Sequence, residues 1–148
     1  SDGIKFGSDT AAANALDDYE EGIYTPSITC SSSGTISLQS DGDRLSYTKV
    51  GRLVTVHGTI VVDSVSSPSG DVLIGLPFTV ADLEDSAGRT AGSAFVWNAV
   101  NNPTDFVWAL WANEGQSYMY CRRPNTNTSA NKVQANTEFF IGISYPTT

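Results

Sequence analysis

Positive charge is scarce. Eight Lys and Arg stand against 16 Asp and Glu, giving a formal charge of -8 and an isoelectric point near 4.3. A chain so acidic repels the phosphates of DNA and RNA, which are gripped with Lys and Arg, so no nucleic-acid partner is expected. The adjacent pair Arg122-Arg123 is too small for a polyanion groove and reads as a solvated turn. Histidine occurs once, at His57, with no serine or cysteine nucleophile motif around it. The two cysteines, Cys30 and Cys121, are too few and too far apart for a zinc motif. No apolar run reaches the roughly 20 residues of a helical membrane span, so no membrane insertion is expected. Repeated rungs of a β-helix are missing too. These absences predict no metal, no cofactor and no catalytic residues.

What is present is short strands. A chain of 148 residues that is 40% hydrophobic has the length of one domain and enough apolar material for a core. Its centre is residues 44–62, RLSYTKVGRLVTVHGTIVV, in which two strand-like runs meet at Gly51-Arg52. Leu45, Tyr47 and Lys49 alternate with Ser46, Thr48 and Val50. Beyond the turn Val54, Val56, Ile60 and Val62 face one way, and Thr55, His57 and Thr59 the other. Gly58 in mid-strand predicts a bulge or a close backbone approach.

Upstream, residues 1–6 read as an extended arm continuing from a stem. Ser8 or Asp9 caps an expected short helix over residues 10–19, rich in alanine and stopped by Gly22. Asp17, Asp18, Glu20 and Glu21 crowd the negative end of that helix, so packing against the β domain or against other copies must hold it. The acidic cluster lacks the spaced ligands and turn glycine of a calcium loop. Downstream, residues 24–30 and 35–39 are expected to pair, residues 64–70 to turn, and residues 71–76 to form a strand ended by Pro77. An acidic excursion over residues 80–92 precedes strands at 93–100, 106–112, 117–122 and 138–145. Eight or nine such strands predict an all-β, antiparallel β-sandwich over residues 23–148, jelly-roll-like, with residues 1–22 as arm and helix.

Three strings carry a resemblance: LDDYEEG at 16–22, YTKVGRLVTV at 47–56 and GLPF at 75–78. With them the chain, from Gly3 to about Tyr145, resembles the C-terminal domains of tailed-bacteriophage tail fibres, tailspikes and related virion proteins. The resemblance implies a homotrimer joined to an upstream fibre or spike stem, located in the virion tail and assembled in the bacterial cytoplasm. It thereby implies free thiols rather than a disulfide. It does not name a ligand, because such domains share a scaffold and differ in their distal loops. In tailspikes, polysaccharide cleavage generally belongs to the β-helical body.

The late strands are apolar on both faces. Phe139, Ile141, Ile143 and Tyr145 oppose Phe140, Gly142 and Ser144, and Phe106, Trp108 and Leu110 oppose Val107, Ala109 and Trp111. Such strands point to a subunit interface, since large exposed apolar patches are uncommon on monomers. Aromatic faces beside amides and carboxylates also suit sugar rings and their hydroxyls. The candidate receptor or glycan-binding residues are therefore Trp97, Asn98, Trp108, Trp111, Asn113, Glu114, Tyr118 and Tyr120, each aromatic having a core or interface role as its alternative. The polar stretches 101–105, 113–117 and 123–136 are the expected receptor loops. The function expected is a non-enzymatic tip domain that trimerises a fibre and binds a host cell-surface glycan or other receptor. The alternative is a monomeric carbohydrate-binding module attached to a polysaccharide-degrading enzyme. A glycosidase needs two carboxylates set across a bond, and nothing pairs Asp82, Glu84, Asp85, Asp105, Glu114 or Glu138 in the sequence.

Overall fold

Alternation of apolar and polar residues sets the architecture. The computed structural model describes residues 18–100, 107–123, 126 and 128–148. Ten strands are present among them: β1 (Tyr19–Tyr24), β2 (Ile28–Cys30), β3 (Ser33–Leu38), β4 (Leu45–Val50), β5 (Leu53–Ser69), β6 (Val72–Gly75), β7 (Thr90–Trp97), β8 (Val107–Ala112), β9 (Tyr118–Arg122) and β10 (Glu138–Pro146). They form one antiparallel sheet in the order β1-β4-β5-β10-β7-β8-β9-β6-β2, with β3 added to the far half of β5. The sheet curls into a half-barrel, so strands from its two ends face each other across one core as the layers of a sandwich do.

The central hairpin is as expected. β4 and β5 pair from Ser46 opposite His57 to Val50 opposite Leu53. The two-residue turn needs positive φ, which Gly51 supplies at 57°. Val54, Val56, Ile60 and Val62 are all buried, while His57 is exposed. Gly58 sits in unbroken register opposite Ile141, with no bulge. Its φ of 137° and the approach of Leu45, whose Cδ2 would lie 3.1 Å from an added Cβ, explain the glycine.

Three expectations need correction. Residues 24–30 and 35–39 do not pair with each other: β2 lies against β6 and β3 against the second half of β5. Residues 64–70 are therefore mostly strand; β5 runs 17 residues, with Ser64, Val65 and Ser66 opposite Ser37, Ile36 and Thr35. Tyr19 does not close a helix. It opens β1, where pairing with β4 from Tyr19 opposite Val50 to Tyr24 opposite Leu45 overrides local helix preference. The rest of the expected helix and arm lies outside the described residues.

One face of every principal strand fills the core. Phe139, Ile141, Ile143 and Tyr145 of β10 meet Trp108 and Leu110 of β8, Met119 and Cys121 of β9, and Val72 and Ile74 of β6. Trp108 meets Phe139 edge to face at 5.9 Å. The mouth of the half-barrel is closed by residues 75–81. There Tyr24 Oη donates to the Gly75 carbonyl (3.1 Å), and Tyr145 Oη donates to the Phe78 carbonyl (3.1 Å) while accepting its N–H (3.3 Å). Thr147 Oγ1 donates to the Thr79 carbonyl, and Ala81 N–H to that of Pro146.

Burial pushes both phenols well above the ordinary value of 10.0. Unfolded tyrosines ionise near that value while these stay protonated in the fold. The unfolded chain then binds fewer protons, and stability is complete below pH 10 and falls as pH rises above it. Chemical denaturation should show a midpoint that drops steadily above pH 10. The double variant Tyr24→Phe, Tyr145→Phe should be less stable at pH 7 by about 1 kcal/mol per lost hydrogen bond, yet lose less stability between pH 10 and 11.

Candidate receptor-binding surface

The described parts of the three strings that carry the family resemblance, residues 18–22, 47–56 and 75–78, meet in space. Lys49, buried on the inner face of β4, pairs with Asp18, and Tyr47 Oη donates to Glu20 Oε1 at 2.5 Å. The Tyr47 ring covers Gly22, where a Cβ would come within 2.9 Å of it. Tyr47 also meets Phe78 edge to face at 5.3 Å, and Lys49 Nζ lies 5.9 Å from the Phe78 ring centre. Residues 18–22, hairpin 47–56 and segment 75–78 thus make one buckle that ties β1 and the mouth segment to β4. Their chemistry is spent on each other, which makes this cluster a structural one.

The candidate residues separate into three groups. Trp108 is 2% exposed and belongs to the core, so it presents no face to a ligand. Trp111, Tyr118 and Tyr120 are half-buried on the outer face and satisfy one another. Trp111 stacks on Tyr120 with ring centres 4.6 Å apart and planes 19° from parallel, and Tyr118 meets Tyr120 at 5.5 Å. Arg122 lies 5.0 Å from the Trp111 ring centre and holds buried Asp71 through two hydrogen bonds of 3.1 and 2.5 Å. Asn113 accepts the Trp111 indole N–H at 2.9 Å. Glu114 accepts the N–H groups of Leu83 (3.2 Å) and Gly88 (2.8 Å), tying the acidic excursion to the β8–β9 turn. That carboxylate therefore holds the loop in place through its Oε1.

Trp97 and Asn98 form the third group. Asn98, with φ of 58°, donates to the Asn136 carbonyl and receives Gln134, so its amide braces the β7 end. Trp97 is 57% exposed, and beside it on the same outer face stand Phe95 (48%) and Phe140 (41%). Phe95 lies 5.6 Å from Phe140 and 6.4 Å from Trp97 between ring centres. Phe95 and Phe140 were not among the sequence candidates. Their signal was the adjacent pair Phe139-Phe140 in an alternating strand, which must send one ring outward.

The cysteines occupy one cross-strand row: Cys30 is opposite Val72, and Val72 opposite Cys121. Two strand spacings put them roughly 10 Å apart, beyond the reach of a disulfide. Both thiols are free, and burial pushes both upward in pKa. Among the described residues no three His, Cys, Asp or Glu gather as a metal site, and no helix is long and apolar enough to cross a membrane. Residues 101–105 of the expected receptor loops, and part of 123–136, lie outside the described residues.

No protein-family model and no curated protein matches the chain. Among solved structures, the crystal structure of the Dettilon tailspike protein matches over 86% of this chain with a TM-score of 0.72 at 17% sequence identity. The chain spans 24% of that protein's length. The likeness is one of fold.

Arg122→Ala should expose what its ion pair does. It leaves the Asp71 carboxylate buried without its partner and removes the cation from the Trp111–Tyr120 stack. Thermal or urea unfolding should show a loss of about 3 kcal/mol. Asp71→Asn, which keeps the shape and one acceptor, should cost less than Arg122→Ala.

Proposed function

We propose that the chain is a non-enzymatic domain of a phage tail fibre or tailspike, part of the virion, that assembles as a homotrimer on an upstream stem and binds a host cell-surface glycan. The observation that carries the reading is the fold shared with a domain-sized part of the Dettilon tailspike protein. The described parts of the sequence strings that suggested such a domain, residues 18–22, 47–56 and 75–78, form the buckle of this fold, and that agreement supports the same reading.

A second support is the distribution of exposed apolar residues. Among the described residues all of them but Val100 fall into two patches separated by a polar strip. Tyr19, Ile23 and Leu53 project outward at the β1 edge, and Phe95, Trp97 and Phe140 project from β7 and β10. Between them Ser46, His57 and Thr55 occupy the outer face. Among the described residues β1 has no strand on its outer side, and an edge strand with large apolar side chains favours pairing with another chain. Subunit contact at β1 leaves the second patch free for a receptor.

Light scattering tests the assembly. Three copies of the 15.7 kDa chain are expected to stay together at low micromolar concentration. Ile23→Asp with Leu53→Asp should reduce that mass to one chain while the β-sheet circular dichroism is kept. A wild-type monomer would sink the trimer and favour the alternative, a carbohydrate-binding module working singly beside a polysaccharide-degrading enzyme.

A further inference from the structure

The outer face of β5, β10 and β7 holds a furrow that the fold itself does not require. Two open hollows, of about 420 and 540 Å3, share Ser93 and Gly142 and so run together along β10. Phe95 and Phe140 wall one end, with Trp97 beyond them; Thr55, His57 and Ser144 wall the other. Gly142 forms the floor between His57 and Ser93, its partners on either side. A glycine inside a strand weakens it and calls for a reason. Neither usual reason applies here. The φ of Gly142 is outside the left-handed region, and an added Cβ would meet only Ser93 Oγ, at an ordinary 3.6 Å. What a larger residue would do is fill the furrow.

From this geometry we infer that the furrow is the sugar-binding site of the domain, taking a neutral hexopyranose oligosaccharide with one ring against the Phe95–Phe140–Trp97 platform. This rests on the proposed receptor-binding function and adds its location and ligand class. Exposed aromatic faces match the apolar faces of pyranose rings, and the Ser93 hydroxyl and His57 imidazole can exchange hydrogen bonds with sugar hydroxyls. No Lys, Arg, Asp or Glu lines either hollow, so nothing there would neutralise an acidic sugar, and the chain's charge of -8 opposes one. Ser and Ala are depleted at protein interfaces while Phe and Trp are enriched there, so a second copy of the chain is the competing occupant, and the mass of the variants decides between the two.

The test uses three proteins: wild type, Gly142→Leu, which fills the furrow, and Phe140→Ala, which removes an exposed ring without touching the core. Each is applied to an array of neutral and uronic-acid-containing oligosaccharides, with light scattering and a thermal melt as controls. Wild type is expected to bind neutral oligosaccharides, and both variants to bind at least about tenfold more weakly with unchanged mass. Equal binding by wild type and both variants overturns the furrow while leaving the receptor function standing elsewhere on the domain. A wild type that prefers the uronic acids overturns the ligand class. A change of mass in either variant makes the furrow a subunit contact and overturns the inference. If wild type binds nothing on the array, the furrow fails together with the glycan part of the proposed function.

Discussion

A sheet that buries one face only must bend until its ends approach, or leave its core wet. Here the residues of ten strands contribute one apolar face to one cluster, and the curl lets them do so. The curl has a weak point, the open mouth between β6 and the β4–β10 side. Residues 75–81 close it, and the phenols of Tyr24 and Tyr145 bind backbone carbonyls of that segment. A backbone crossing a core needs partners for its N–H and C=O groups. The two tyrosines supply them from the strands that must be held together.

The buckle of Asp18, Glu20, Tyr47, Lys49 and Phe78 follows from the same need. Lys49 points inward because strand parity puts it beside Leu45 and Tyr47, and a buried ammonium requires a partner. Asp18 provides the charge, and the Phe78 ring provides a polarisable wall. So the buckle residues of the most recognisable strings are engaged with each other rather than with a ligand. In the proposed receptor-binding role, specificity would fall to the convex outer face, where a side chain can be exchanged without repacking the core.

Much of the fold was legible because its signals are local. The β4–β5 hairpin announces itself through a glycine turn between two alternating runs, and β10 through four alternate large residues. Pairing partners were not legible. Ser64, Ser66, Ser67 and Pro68 look like a turn, and only the irregular register against β3, with Gly34 and Ser67 both at positive φ, makes them a strand. Tyr19 to Gly22 look like the acidic end of a helix until β4 is placed beside them. In the binding surface, parity put Trp108 and Trp111 on opposite faces but did not say which face was inside; that depends on Phe139 arriving from a strand 31 residues later. Phe95 and Phe140 lack polar neighbours in sequence. They form a platform only because β7 and β10 are paired.

The proposed furrow would place recognition on strands rather than loops, and that has energetic consequences. Strand-borne side chains are held by the ladder and by the core beneath them, so little conformational freedom is lost when a ligand settles on them. The same rigidity limits how far a shallow furrow can enclose a sugar, and an open site leaves much of the ligand in water. Each contact is therefore weak. In the proposed trimer, three copies on one axis would convert the second and third encounters into intramolecular ones, and avidity would rise through effective concentration rather than through new contacts. On this reasoning the β1 edge and the furrow are coupled in purpose although they are separate in space: a weak, rigid, exchangeable site is useful when assembly multiplies it, and the buckle that fixes β1 against β4 keeps both surfaces on one body.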